Sequence, residues 1–591
     1  MAQRSRRGRA LAAAGVLLAA VGLARCATLG LRPETWTLDE KVGQLFVVAA
    51  HGTFMNEGSP EFGELLRQVR ENRVGGICWF LSNVYETALL NRKLQAAAKT
   101  PLLISADLEA GVGMRFTDTT YWPWAMAVAA TGDPALAERQ GAIEAEEARA
   151  LGINQIYAPV ADVNINPDNP VINVRSYGED PQEVARYVAA FVRGVESGHV
   201  LATAKHFPGH GDTRTDSHRS LPVLDVTRER LEQVELPPFR AAIAAGAGAI
   251  MMAHLSLPAL DATPAPPREG ALRDNPYTKD AAEVTQNATM PASLSPVILD
   301  GLLRHDLHFD GLVLTDAADM GALTDHFDAG ETAVRAILAG ADQIPKSHDT
   351  DGAIAGVKIA VRSGRIPQAR LDVSVRRILA AKARVGAPEV DPEKIFRLVD
   401  SPGHRAVAEE IARRALTLLR EEPGALPIAR TARLAHLVVA DTLDPVVAQE
   451  IGRELTRRLE KPPETFVLDP RSNEGDVHAV LEGAGRADMV LVSFFIRFQS
   501  GRGRISLPEL AAPALATLRQ RGARILAVSF GTPYLLRELP ELPTYIAAYG
   551  GQPVMQVAAA RALFGEAGFS GRLPVTIPGV AARGDGLQKS R

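Results

Sequence analysis

The chain has 591 residues, of which 46% are hydrophobic and 23% charged, enough for two or more apolar cores and incompatible with wholesale disorder. A formal net charge of −4 leaves no electrostatic footprint for nucleic acid. Two cysteines, Cys26 and Cys78, exclude a disulfide framework and any zinc-finger spacing.

At the N-terminus, Arg4, Arg6, Arg7 and Arg9 precede an apolar run over residues 10–24. A basic segment followed by a run of this length predicts an export signal, too short for a permanent membrane span. Gly22 and Ala24 fit a small-residue cleavage pattern. Leu23-Ala24-Arg25-Cys26 is also similar to a bacterial lipoprotein signal in which Cys26 is acylated, although Arg25 stands where a small residue is expected. The expectation is a signal segment at 1–26, export to the periplasm or cell envelope, and membrane anchoring through Cys26 if it is acylated.

From 33 to 386 one theme recurs: a short apolar strand, a polar loop, then a helical pattern. Strands are expected at 42–49, 74–80, 102–107, 153–159, 200–206, 249–254, 311–316 and 341–344. Helical segments lie between them, at 134–151, 181–197 and 295–304 among others. The last begins Ser295-Pro296, an N-cap followed by proline. Eight strands alternating with helices predict an α/β fold with a (β/α)₈ TIM-like barrel, and 259–277, rich in glycine and proline, reads as a barrel loop. Polar residues gather at the C-terminal ends of these strands: Asp107, Asp162, Lys205, His206, His254 and Asp316. In such barrels that face carries the active site.

Residues 387–404 read as a linker. Beyond it, 405–580 predicts an α/β/α sandwich, with strands at 434–440, 465–468, 489–495, 524–530 and 545–549 and helices at 445–459, 507–521 and 553–564. Residues 581–591 read as an unstructured tail.

The densest chemistry lies in Lys205-His206-Phe207-Pro208-Gly209-His210-Gly211-Asp212-Thr213, followed by Asp216-Ser217-His218. So many titratable groups in a Pro/Gly-rich loop after a strand point to function rather than packing. A metal-dependent hydrolase using His206, His210, Asp212 and His218 is one reading. Pro208, Gly209 and Gly211 interrupt the helix that would bring a His-x₃-His pair onto one face. Gly111-x-Gly113 lacks the remainder of a nucleotide-binding pattern.

These residues closely resemble the signature of glycoside hydrolase family 3, in its β-N-acetylglucosaminidase branch. Four further matches follow the family's order. They are Ala106-Asp107-Leu108-Glu109-Ala110-Gly111 ending in Arg115-Phe116, Arg175-Ser176-Tyr177-Gly178-Glu179-Asp180-Pro181, Phe309 to Ala317, and Ala547-Ala548-Tyr549-Gly550 through Leu573-Pro574-Val575. The resemblance implies a retaining, exo-acting hydrolase of terminal β-linked N-acetylglucosamine that works without metal or cofactor. Asp316 would be the nucleophile and His218 the acid/base. Two residues apart on a turn, Asp216 can orient one nitrogen of an imidazole whose ordinary pKa, about 6.5, suits both proton steps. Asp107, Arg115, Arg175, Lys205 and His206 would bind the sugar. His254 is either a further ligand contact or a core histidine.

Two departures from the family's pattern, Ala110 in place of glycine and Ala317 in place of a second aspartate, bear on substrate choice. A family 3 β-glucosidase is the nearest alternative, but such enzymes take an acid/base carboxylate from the second domain. Well-known cytoplasmic members of the N-acetylglucosaminidase branch lack that domain. A second domain together with an export signal implies peptidoglycan fragments or chitin oligosaccharides as substrate.

Overall fold

Residues 201–207 (LATAKHF) are buried without exception, as expected of a parallel strand covered on both faces. They form the fifth of eight strands: β1 Phe46–Ala50, β2 Gly76–Trp79, β3 Leu103–Ala106, β4 Gln155–Ile156, β5 Leu201–Phe207, β6 Ala249–Met252, β7 Leu312–Thr315 and β8 Ile344–Pro345. All pair in parallel in the order β7-β6-β5-β4-β3-β2-β1-β8. The Leu314–Gln343 bridge then brings the two ends together, closing the expected barrel. The computed structural model describes residues 33–590, except Thr53, Pro445 and Ser500. The expected export signal with Cys26 lies outside the described residues, among which no helix is long and apolar enough to cross a membrane.

The first strand starts later than its apolar run suggests. Val42 belongs to the helix Leu38–Gly43, which a Thr37/Glu40 capping box initiates. Helix Pro181–Ser197 begins where Asp180 accepts the Gln182 and Glu183 N–H groups and Pro181 occupies the first turn. Ser295 accepts the Ile298 N–H at 3.3 Å, while the helix behind it runs over Val297–Asp306 with π-type bonding.

The second domain is a six-stranded sheet in the order β11-β10-β12-β13-β14-β9. Its strands are β9 Thr417–Arg420, β10 Leu434–Ala440, β11 Glu464–Leu468, β12 Met489–Phe495, β13 Ile525–Ser529 and β14 Thr544–Ala547. Only β9, absent from the sequence expectation, runs antiparallel to its neighbour. The expected linker contains helix Pro392–Leu398 and the start of helix Pro402–Ala415. The expected tail is corrected: Leu587 bridges Leu418, and Phe569 and Lys589 exchange backbone hydrogen bonds of 2.8 and 3.1 Å, so residues 581–590 finish the sheet edge.

The two domains meet over apolar and polar contacts. Ala110, Trp124, Met126 and Val174 of the barrel segment belong to the apolar cluster of the sandwich. Glu179 accepts the Thr576 N–H at 2.7 Å, and Asn164 donates to the Tyr534 hydroxyl at 2.9 Å. Ala110 is fully buried in this contact, which gives its departure from glycine a packing reason.

Candidate active site

The ends of β3, β5 and β7 open into a cavity of about 260 Å³ above the barrel. Asp107, Glu109, Arg115, Arg175, Lys205, His206, His218 and Asp316 all line it, together with Tyr277, Lys346 and, from the second domain, Phe498. Two neighbours on one strand, Lys205 and His206, both reach the cavity although strand side chains alternate. The register between β5 and β6 slips between Lys205 and Phe207, an irregularity that re-aims side chains.

One wall is a continuous charge network. Arg115 donates to Asp107 Oδ2 at 2.8 Å, and Lys205 Nζ bridges Asp107 Oδ1 at 2.6 Å and Glu109 Oε1 at 2.7 Å. Arg175 holds Glu109 through a two-pronged contact, Nε–Oε2 at 2.8 Å and Nη2–Oε1 at 2.7 Å. Burial opposes the charge on Glu109, but Arg175 and Lys205 outweigh it and hold the carboxyl far below its ordinary value. Asp107 is likewise depressed, against burial, by Lys205 and Arg115.

Glu109→Gln therefore leaves two buried cations short of a partner and should lower stability at neutral pH by about 3–5 kcal/mol. A carboxylate depressed by folding stabilises the protein above its unfolded pKa, about 4.3, and that contribution is lost as pH falls through the folded value. The gap between wild type and variant in urea melts should be full at pH 7 and shrink below about pH 4. A gap that stays constant with pH would remove the network as its cause.

The imidazoles are held separately. His206 Nδ1 meets Asp162 Oδ2 at 2.7 Å, and Asp162 Oδ1 accepts the His210 N–H at 2.7 Å. The second nitrogen of His206 faces Arg175 Nη2 at 3.4 Å. His210 contacts Thr213 and Ser217 through its two nitrogens at 2.7 and 3.0 Å, and burial pushes it down to about 4, so it is neutral. Asp212 turns to Arg230 at 3.5 Å. Among the described residues no group of three or more His, Cys, Asp or Glu side chains is placed to share a metal ion.

His218 Nδ1 and the His218 N–H both meet Asp216 Oδ1 at 2.9 Å. Its Nε2 has no protein partner among the described residues, and the ring packs edge-on against Tyr277 at 5.2 Å. Burial works against the Asp216 carboxylate, but the His218 contacts and the Gly501 N–H keep its pKa below the ordinary value.

Asp316 follows β7. Its backbone N–H donates to Met252 at 2.9 Å, and Oδ1 accepts the Ala317 N–H at 2.7 Å. Burial opposes its charge; the facing rings of His206, His254 and His218 and the Ala317 N–H prevail and hold the carboxyl well below its usual range. His254 lies behind it rather than in the cavity. Its nitrogens are engaged by Ser293 Oγ at 2.8 Å and the Ala317 carbonyl at 3.1 Å, so it braces the residue after Asp316 instead of meeting a ligand. Trp79 is buried, donating to Asn91 at 2.7 Å. Cys78 lies at the cavity as an unreactive thiol, pushed up to about 12 by burial.

The sequence reading left out Glu109, Asp162, Tyr277, Lys346 and Phe498 as site residues. Glu109 stood inside a quoted motif and Asp162 at a strand end; nothing local marks the other three. Lys346 lies 4.6 Å above the Phe80 ring and pairs with Asp319 at 3.1 Å.

A closed barrel whose mouth gathers carboxylates, imidazoles and guanidinium groups in one cavity has the chemistry to bind hydroxyl-bearing ligands and to transfer protons. Residues 37–381 match the glycosyl hydrolase family 3 N-terminal domain, and the chain belongs to glycoside hydrolase family 3. It is 32% identical over 563 residues to the β-N-acetylglucosaminidase/β-glucosidase of Cellulomonas fimi, covering 91% of this chain and 93% of that protein. Among solved structures it is similar to a family 3 β-N-acetylglucosaminidase from Paenibacillus sp. str. FPU-7, at 33% identity and a TM-score of 0.76 over 92% of this chain and 99% of that one. It is also similar to the β-glucoside phosphorylase BglX bound to 2FGlc, at 27% identity and a TM-score of 0.81 over 94% of this chain and 97% of that one.

Proposed function

We propose that the protein removes terminal β-linked N-acetylglucosamine with retention of configuration. Asp316 is the nucleophile, and His218, oriented by Asp216, is the acid/base. The observation that carries this reading is the contrast among the three cavity carboxylates. Asp107 and Glu109 are each tied to two cations, whereas Asp316 forms no ion pair among the described residues and takes a protein hydrogen bond on one oxygen only. Its other oxygen keeps a lone pair for the anomeric carbon. His218 Nε2 then protonates the departing oxygen and later takes a proton from the water that hydrolyses the glycosyl-aspartate. Asp107, Arg115, Arg175, Lys205 and His206 hold the sugar hydroxyls. The N-acetyl preference is supported by the names of the Cellulomonas and Paenibacillus relatives. With the export signal at 1–26, the substrates are peptidoglycan fragments or chitin oligosaccharides, met outside the inner membrane by a protein anchored through Cys26 if that residue is acylated.

Turnover of aryl β-N-acetylglucosaminide against aryl β-glucoside tests the reading, with the product anomer followed by NMR. The N-acetyl substrate should be preferred, with the β-anomer released first. Preference for the glucoside would keep the family and overturn the substrate; the α-anomer released first would overturn retention.

A second reading concerns the acceptor. A phosphorylase shares nearly the whole chain's fold, and the proton-transfer group is an imidazole, which as a neutral base does not repel an incoming anion as a carboxylate would. Arg115, Arg175, Lys205 and Lys346 also line the cavity. Running the same assay with and without inorganic phosphate separates the two, since only phosphorolysis yields the sugar 1-phosphate.

A further inference from the structure

β10 and β12 are neighbours in the second sheet, yet β10 is followed by β11 on one side while β12 leads on to β13 on the other. This is the point where strand order reverses, which in open α/β sheets is where a crevice forms beyond the strands' C-terminal ends. In this chain the segment leaving β12 at that point contributes to the lining of the barrel cavity. Asp441, at the end of β10, accepts the Arg497 N–H at 3.0 Å and pairs with Arg502 at 3.0 Å, fixing the segment that leaves β12. From that segment Phe498 reaches the cavity, 5.3 Å from the Arg175 guanidinium and edge-on to Trp124 at 5.1 Å.

Gly501 goes further. Its N–H donates to Asp216 Oδ2 at 2.7 Å, the oxygen that His218 leaves unused. Its carbonyl accepts Arg219 Nη1 at 2.9 Å, and Arg219 is itself held by Glu283 at 2.8 Å. The Asp216 side chain is fully buried. Without Gly501, Oδ2 would be a buried acceptor left without its donor.

We propose that Gly501 is a positioning residue for proton transfer: the second domain locks the Asp216 carboxylate so that His218 Nε2 is aimed at the glycosidic oxygen, with Arg219 anchoring Gly501. The inference rests on His218 and Asp216 being the proton-transfer pair. The barrel supplies the histidine and its aspartate, and the sandwich supplies the donor that fixes them. The pair is therefore complete only when the domains are docked.

Gly501 has φ +81°, and a Cβ there would lie 2.5 Å from Tyr277 Cδ1, so Gly501→Ala must shift either the backbone that holds Asp216 or the Tyr277 ring. Arg219→Ala releases the same carbonyl without adding an atom beside Tyr277. Both variants of the full chain, with Asp216→Ala alongside, are assayed on aryl β-N-acetylglucosaminides with a good and a poor leaving group, and their thermal melts recorded. The expected result is a loss in kcat/KM of about 10–100-fold on the poor leaving group, a several-fold smaller loss on the good one, and native-like melts. Equal losses on both substrates, or none, while Asp216→Ala discriminates between them, would overturn the role of Gly501 alone. An Asp216→Ala variant that does not discriminate would overturn the proton-transfer reading and this inference with it.

Discussion

Asp316→Ala should lower kcat by about 10⁴-fold or more, which is about 5 kcal/mol or more of transition-state stabilisation. The expectation follows from how the residue is held. Its backbone is stitched to β6 through Met252, and the next two residues are held in turn: the Ala317 carbonyl by His254 and the Ala318 N–H by Pro345 at 2.9 Å. The carboxylate thus stands at a fixed point of a rigid rim, ionised at neutral pH and with one oxygen uncommitted to the protein. Acting as the proposed nucleophile, a carboxylate fixed in this way would gain from orientation what a mobile one would have to supply in entropy. The variant should fold, since Asp316 anchors no cation. Added azide offers a second readout. A small anion entering the space left by the side chain would attack the same face of the sugar and give the α-glycosyl azide, with partial recovery of rate on an activated substrate. Near-wild-type turnover without azide would remove Asp316 from the mechanism.

Much of the scaffold could be read from local signals. β10 and β12 match their expected bounds because each is a seven-residue, mostly apolar stretch broken only by His436 or Ser493, which leaves little choice of length. Helix Pro181–Ser197 matches because Asp180-Pro181 starts it and Gly198 stops it. The errors have physical causes. β9 follows directly on helix Pro402–Ala415, so its four residues look like more helix; only pairing with β14, far along the chain, makes them a strand. Residues 581–590 have the glycine- and arginine-bearing composition of a tail, yet their backbone groups close an edge that the sequence gives no sign of.

The site divides in the same way. Residues that share a motif or a strand end with other chemistry (Asp107, Lys205, His206, Asp216, His218, Asp316) stand together in the cavity or directly against it. His254 has the same strand-end signature but does not line the cavity, because both its ring nitrogens are taken up by Ser293 and the Ala317 carbonyl. Tyr277 and Lys346 arrive from segments whose local sequence is that of an ordinary loop. Gly501 acts through a backbone N–H, which no side-chain pattern announces.

His218→Ala should separate substrates by their leaving groups. An oxygen that departs as an alkoxide needs its proton in the transition state, and a positioned acid is worth about 10²–10⁴-fold. Sugar leaving groups and simple alkyl aglycones should lose that much in kcat/KM, whereas a nitrophenolate, stable as an anion, should lose about ten-fold or less. With activated substrates the glycosyl-aspartate should also accumulate, because the base that deprotonates water is missing. A burst of aryl alcohol before a slow steady state would register this. Asp216→Asn should move the same way by a different route. An amide nitrogen can donate to Nδ1 and so favour the tautomer with its proton on Nε2, which misdirects the neutral imidazole needed as base. Leaving-group discrimination in both variants, with intact melts, is what a histidine held by an aspartate requires. Equal losses across all substrates would make His218 a packing residue against Tyr277, and the proton would then have to come from another group lining the cavity.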